Sequence, residues 1–232
     1  MTTILPDVSI EHCAQHVHIA FQTPLRVTSS AVLNGGVVYA DHLVNLKVHK
    51  DNICSELPSE TLAKYATKCG WAGTTVGMMT AASMNSFRMA KHSEQGVDIV
   101  VLVTAGLGNA RRIGDCAEYR YIADPAATLG TINIVVLTSA QLSAAASIEA
   151  VLMVTEAKAA ALQDAGIKSA ISNSIATGTG TDSVAIVSGN GAPCVSYCGK
   201  HVLFGEILGR SVRATLADSI AWNLSYGTAA NL

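Results

Sequence analysis

Charged residues are scarce in this chain. Asp, Glu, Lys and Arg make up only 14% of its 232 residues, and the formal net charge is -2. Binding to DNA or RNA requires a cluster of Lys and Arg, because neutralising phosphates supplies most of the affinity. The composition therefore predicts that no nucleic acid is a partner.

Long apolar runs are also missing, although apolar residues reach 50%. Thr, Ser, Asn and Gly interrupt every run before it reaches the ~18 residues that a membrane span needs. The first seven residues show no basic region followed by an apolar stretch, so no signal peptide is visible. We expect a cytoplasmic protein with no membrane partner.

Cysteine pairs at the usual metal or redox spacing are absent. The closest pair, Cys194 and Cys198, is separated by three residues rather than two, so reduced thiols are expected. His12, His16 and His18 lie around Cys13 and could form a metal patch. The alternation of histidine with Val17 favours instead a strand whose imidazoles lie on the more solvated face, and no metal site is expected.

The familiar catalytic motifs are missing as well. No Gly-x-Gly-x-x-Gly follows a strand, no Walker lysine follows a glycine loop, and no Gly-x-Ser-x-Gly elbow occurs. The sequence therefore predicts none of the usual dinucleotide, P-loop or serine-hydrolase sites.

What is present predicts one α+β domain over residues 1–232, with a mixed, largely antiparallel sheet covered by a few helices. No charged or Pro/Gly/Ser-rich linker divides the chain. β-Branched and aromatic residues predict a meander of strands at 17–21, 25–29 and 36–48, further strands at 73–79, 131–137 and 184–187, and a hairpin of 86–91 with 97–104. Apolar residues at helical spacing predict a short helix from Pro58 and longer ones at 142–165 and 199–221.

Three apolar segments, 99–106, 132–139 and 184–190, emerge into small polar residues. If these strands are neighbours, their ends could bring Thr104, Asn109, Thr138 and Asn190 to one rim of the sheet, where a pocket would form. The alternative is that these polar residues simply end the strands.

The segment 173–182 is the most distinctive loop. Gly178 and Gly180 let the backbone approach a ligand, three threonines offer hydroxyls, and Asp182 supplies a charge. We expect its part 176–182 to combine with the loop 104–115. A plain surface turn is one alternative, and a nucleotide site is another, because 177–181 faintly resembles the glycine loop of tubulin-like GTPases.

Seven segments in order carry a wider resemblance. They are 29–36, 76–82, 103–115, 130–133, 155–158, 176–182 and 199–206. Together they resemble the adenosylcobinamide amidohydrolase family, the corrinoid-salvage enzymes called CbiZ, over about residues 25–222.

The resemblance implies hydrolysis of the amide that joins aminopropanol to the corrin ring of adenosylcobinamide, which yields adenosylcobyric acid. It implies a small-molecule corrinoid partner and no required cofactor, since cobalt enters only with the substrate. A homo-oligomer is one possible state. A non-catalytic corrinoid-binding protein is the main alternative. The low charge of the chain suits either role, because a corrinoid is a broad, mostly neutral disc fringed with amides.

Amide hydrolysis needs a nucleophile, donors for the oxyanion and a proton for the amine. His201, at the predicted start of the last helix, could be a neutral base, because the helix N-terminus disfavours the imidazolium. Asp182 could orient this ring or activate water. Glu156 could be the acid or base, although Lys158 nearby suggests a solvated face. No serine has an evident base partner, so attack by water is favoured.

The predicted substrate-binding residues offer hydroxyl, amide or backbone groups. They are Asn34, Gly35, Thr80, Thr104, Asn109, Arg111, Asn133, Thr177, Gly178, Thr179 and Thr181. Arg111 and Arg112 could bind a ligand phosphate or pair with Asp115.

Overall fold

The computed structural model describes residues 1–48, 56–118 and 131–227, so Cys54 and Gly130 lie outside the described residues. The strands are β1 (Thr2–Leu5), β2 (Val8–His12), β3 (His16–Ser29), β4 (Gly36–Lys47), β5 (Thr75–Thr80), β6 (Arg88–Glu94), β7 (Val97–Ala105), β8 (Ala110–Arg111), β9 (Ile132–Thr138), β10 (Ala140–Leu142), β11 (Gly178–Thr179), β12 (Ser183–Ser188) and β13 (Gly191–Val195). The helices are α1 (Pro58–Lys68), α2 (Ala144–Asp164) and α3 (Leu203–Tyr226).

The main sheet is mixed. Its strand order is β1-β2-β3-β12-β9-β7-β6, and β4 pairs with both β3 and β5. The pairs β4/β5 and β9/β12 are parallel and the other pairs in this sheet are antiparallel. The predicted α+β class and the β6/β7 hairpin are confirmed.

Alternation along the strands builds two cores on opposite faces of the sheet. In β7, Val101 and Val103 pack with α2 and α3, whereas Val100 and Leu102 pack with residues of β3, β4 and β5. A third cluster joins Leu62 of α1 to the outer face of β4 and β5. The layers therefore run α1, then β4 and β5, then β7, β9 and β12, then α2 and α3.

A local signal explains the start of α2. The Ser143 hydroxyl accepts from the Ala146 N–H at 3.0 Å and so caps α2. Helix α3 begins at Leu203 rather than at residue 199, because 199–202 form a turn. The predicted strands 17–21 and 25–29 are one strand, β3, with a shift in pairing between Ala20 and Leu25.

The histidine cluster corrects a prediction. His16 and His18 are 7% and 1% exposed, not solvated, because Tyr65 of α1 and Trp71 cover this face of β3. The His18 ring stacks on Trp71 at 3.8 Å, and its Nε2 lies 3.1 Å from Nδ1 of His42.

Two further findings concern metal sites and membrane-spanning helices. Within residues 1–48, 56–118 and 131–227, no group of three or more His, Cys, Asp or Glu is placed to hold a metal ion, and all five described cysteines are free. In these same ranges no helix has the length and apolar character needed to cross a membrane.

Candidate functional site

The candidate site lies at one end of the main sheet. Strand β7 runs antiparallel to β9, and β9 runs parallel to β12, so the carboxyl end of β7 meets the amino ends of β9 and β12. Thr104 is opposite Asn133, and Asn133 is opposite Ser183. We call this end the rim. Thr138 and Asn190 lie at the opposite end of the sheet, because β7 runs antiparallel to β9. The expectation that they join Thr104 at one rim is therefore wrong.

Two loops meet at the rim. Strands β8 and β11 pair antiparallel and join the loop after β7 to the loop before β12. The Thr177 N–H donates to the Arg111 carbonyl at 2.9 Å, and the Thr177 hydroxyl accepts from the Ile113 N–H at 2.9 Å. The loops that were expected to combine therefore lie side by side.

An ion pair between Lys158 and Asp182 is anchored in this loop. The Asp182 carboxylate also accepts from the Ile132 N–H and the Thr179 N–H, each at 3.0 Å, and from the Thr179 hydroxyl. A carboxylate has about four acceptor sites. Those of Asp182 are thus filled by four donors, which fixes its orientation.

Gly178 allows the backbone to pass close to this ion pair. A Cβ atom at position 178 would lie 2.3 Å from Oδ2 of Asp182 and 2.8 Å from Nζ of Lys158. Any side chain here would collide with one of the charged groups. The glycine of this loop therefore serves close packing against the ion pair.

Glu156 lies on a solvated face of α2, as the sequence suggested, but Lys158 does not. The Lys158 side chain is 9% exposed, whereas that of Glu156 is 58% exposed and pairs with Lys200. Side chains two residues apart on an α-helix differ in direction by about 200° around the helix axis. Lys158 was missed, although its four-residue spacing from Val154 and Leu162 places it on the buried face.

A buried amide network lies between the two strand layers. Asn45 donates to the Thr104 hydroxyl at 2.7 Å, and Asn133 donates to the Asn45 side-chain oxygen at 2.7 Å and to the Met79 carbonyl at 2.9 Å. The Thr131 hydroxyl donates to Asn133 at 3.3 Å and to the Thr181 carbonyl. Thr104 and Asn133 were predicted site residues, whereas Asn45 was missed.

Thr80 follows Met79 at the end of β5. It is 2% exposed, and its hydroxyl accepts from the Ala82 N–H at 3.0 Å.

Asn109 lies in the loop after β7. Both polar atoms of its amide are buried, and they have no hydrogen-bond partner among the described residues. Buried amides usually have hydrogen-bond partners, so Asn109 is unusual in this respect.

Asn34 and Gly35 shape the turn between β3 and β4. Asn34 has a φ of 52° and donates from its side chain to the Thr75 carbonyl at 2.8 Å. A Cβ at Gly35 would lie 2.2 Å from the Ala31 carbonyl oxygen. The structure explains both residue types by turn geometry.

The arginines do not pair with Asp115 through their guanidinium groups, as had been considered. Arg111 pairs with Glu118, and Arg112 donates to the Ile175 carbonyl at 3.0 Å. Asp115 instead accepts from the Ser169 hydroxyl and the Arg112 N–H, and these hydrogen bonds lower the pKa of its carboxyl.

His201 does not join Asp182. The side chain of Asn223, near the end of α3, donates to the Ala105 carbonyl at the rim at 2.7 Å. Helix α3 rises about 30 Å from Leu203 to Asn223. His201 precedes Leu203 in an exposed turn. The recorded partners of Asp182 are Lys158, Ile132 and Thr179, so the predicted pair of His201 with Asp182 is not seen among the described residues.

The sequence matches the adenosylcobinamide amidohydrolase family over residues 2–227. An adenosylcobinamide amidohydrolase from Methanosarcina mazei is 28% identical over 192 residues, which cover 79% of this chain and 84% of the relative. An uncharacterised protein from Methanocaldococcus jannaschii is 33% identical over 158 residues, covering 62% of this chain. The aligned part spans only 61% of that relative's length.

Two solved structures are weakly similar. A β-aminopeptidase from Burkholderia sp. has a TM-score of 0.49 at 12% identity, with 93% of this chain and 83% of that chain covered. An L-aminopeptidase D-Ala-esterase/amidase from Ochrobactrum anthropi has a TM-score of 0.40 at 11% identity, with 92% and 81% covered. The sequence match is what decides the family: this chain belongs to the adenosylcobinamide amidohydrolase family.

Proposed function

We propose that this protein hydrolyses the aminopropanol amide of adenosylcobinamide. Water adds its oxygen to the amide carbon, the C–N bond breaks, and the products are adenosylcobyric acid and protonated aminopropanol. The observation that carries the proposal is family membership together with a buried ion pair at the rim, where the predicted ligand loops meet.

The polar groups at the rim suit a corrinoid. Its periphery carries neutral carboxamides, each with a donor and an acceptor, and Asn109 offers the same two groups without a partner of its own among the described residues. We propose that the loops after β7 and before β12 face the substrate, with Asn109 contacting one peripheral amide.

The charged residues have different roles in this proposal. Asp182 has its acceptor sites filled by four donors, so it is a positioning residue rather than the group that takes a proton from water. Glu156 remains a candidate for that proton transfer, although its carboxylate is exposed and paired with Lys200. Attack by water remains the favoured route.

The nucleotide alternative fits the loop less well. Phosphate sites are made by backbone N–H groups that are free to donate. Here the Thr179 and Ile132 N–H groups already donate to Asp182, whose negative charge would repel a phosphate. A corrinoid carrier without catalysis is the alternative that only an activity measurement separates.

The test is incubation of the purified protein with adenosylcobinamide, without nucleotide or added metal. We expect equal amounts of aminopropanol and adenosylcobyric acid, quantified by chromatography. A carrier would give a spectral change and no product, and a nucleotide-binding protein would leave the corrinoid unchanged. A parallel reaction with a chelator should run at the same rate, and activity that returns only on adding zinc would contradict the absence of a metal requirement.

A further inference from the structure

We propose that Lys158 is the catalytic electrophile of this site. In this inference, which rests on the proposed hydrolase function, the Lys158 ammonium donates a hydrogen bond to the carbonyl oxygen of the scissile amide. It then stabilises the negative charge that this oxygen acquires when water adds to the carbon.

The first argument is the donor capacity of the ammonium. A lysine ammonium has three N–H donors. Asp182 is the one acceptor that the structure records for it within the described ranges, so two donors remain for a ligand. The side chain is nevertheless 9% exposed, so this charge lies where water is largely excluded. Such donors are worth more to a developing charge than donors in bulk water.

The second argument is preorganisation. Asp182 is held by the Ile132 N–H and by two groups of Thr179. The carboxylate therefore fixes the position of the ammonium before a substrate arrives. A buried cation with a rigid partner does not have to reorganise when charge develops, which is the condition for electrostatic catalysis.

The third argument is location. Lys158 lies at the junction of the two ligand loops, because Gly178 of β11 passes directly against its Nζ and β11 pairs with β8. Thr131 connects this point to the buried amides through the Thr181 carbonyl. A substrate amide placed over the loops would meet both the ammonium and neutral donors.

The chemistry at Lys158 involves no covalent change. The carbonyl oxygen gains negative charge as the water oxygen bonds to carbon, and its electron pair re-forms the C=O bond as the C–N electron pair leaves with the nitrogen. One proton of the water goes to the departing nitrogen and the other is lost from the new acid to the amine, so the products are a carboxylate and an ammonium group. The product is a carboxylate with one oxygen in the place of the former carbonyl oxygen, so the same ammonium should bind the product acid.

The experiment compares Lys158→Met with Lys64→Met, a control that removes an exposed lysine of α1 that is also paired to a carboxylate, Glu56. Turnover of adenosylcobinamide should fall by about 10²–10³-fold in Lys158→Met, as for loss of an oxyanion donor, and stay near parental in the control. Calorimetric binding of adenosylcobyric acid should weaken by about 10- to 100-fold, the usual worth of a hydrogen bond to a charged group. Binding of its primary carboxamide should weaken much less, because that ligand is neutral.

A purely structural lysine would weaken both ligands equally, and that result would overturn the inference. Should Lys158→Met not fold, the double variant Lys158→Met with Asp182→Asn leaves no unpaired buried charge, and the same comparison applies. Parental turnover in either variant would also overturn the role of Lys158 while leaving the hydrolase function intact. Failure of the unmodified protein to release aminopropanol would instead overturn the proposed function, and this inference with it.

Discussion

The Lys158 ammonium and the Asp182 carboxylate form an ion pair in which only 9% and 11% of the two side chains are exposed. The pair ties α2 to the loop that enters β12, at the end of the sheet where β7 finishes. Breaking a buried ion pair is costly because the remaining charge has no partner. The pair is therefore expected to matter for stability as well as for the proposed chemistry.

Asp182→Asn should lower the free energy of unfolding by about 3 kcal/mol, because it leaves the Lys158 ammonium buried without a counter-charge. Urea denaturation measures this change. Asp164→Asn is the control, since Asp164 pairs with Arg213 and both side chains are more than half exposed. It should change stability by less than about 0.5 kcal/mol. Equal, small effects of both substitutions would show that the buried pair is not stabilised as argued.

The amides of Asn45 and Asn133 should be energetically coupled. Each single alanine substitution should cost about 1–3 kcal/mol, because it leaves a buried polar group without its partner. In a double-mutant cycle the two should be non-additive by roughly 0.5–3 kcal/mol. The exposed Asn85→Ala supplies the control and should add to either substitution. Simple additivity of Asn45→Ala and Asn133→Ala would contradict the network.

The strand layer was predictable because apolar alternation and turn residues act locally. The β6/β7 hairpin, for example, follows from Gln95 and Gly96, both at positive φ. Which residues meet at the rim was not predictable in full, since strand direction decides it. Thr104 reaches Asn133 but not Thr138 because β7 runs antiparallel to β9.

The positions of the charged residues were also predictable only in part. Lys158 shares a face of α2 with Val154 and Leu162, but helical spacing did not single out this face, because Ile148 and Leu152 place apolar residues on the exposed side as well. The separation of His201 from Asp182 was not predictable either, because it depends on how the turn before α3 packs. Asn45 likewise becomes a site residue only because β4 packs over β9.

Acid should destabilise the protein through His18. Burial, with His42 and His16 nearby, lowers the pKa of its ring to about 3. Because an unfolded histidine titrates near 6.5, the unfolded state binds more protons below that pH. Stability is then full above about pH 6.5 and is lost as pH falls towards 3. The melting temperature of His18→Asn should therefore depend less on pH between 7 and 4 than that of the parent.

Other groups facing His18 titrate too, so the comparison needs a reference. Glu11 is its cross-strand partner, and burial also lowers the pKa of His16. The variant His201→Asn changes an exposed histidine and should keep the parental slope of melting temperature against pH. Identical slopes for His18→Asn and the parent would refute the assignment.

His201→Ala separates the sequence-based prediction from the structure. A general base at this position would cost about 10²–10⁴-fold in turnover when removed. His201 is exposed and has no recorded contact with Asp182 among the described residues, so we expect instead a rate within a few-fold of the parent. Steady-state turnover of adenosylcobinamide decides between them, and a large loss would place His201 in the reacting centre.

The most direct test of the account is a crystal structure of the protein with adenosylcobyric acid. We predict that the corrinoid lies across the loops after β7 and before β12, with the carboxylate released by hydrolysis within hydrogen-bonding distance of Lys158 Nζ. A corrinoid bound at the opposite end of the sheet, beside Thr138 and Asn190, would contradict the central claim that the rim is the active site.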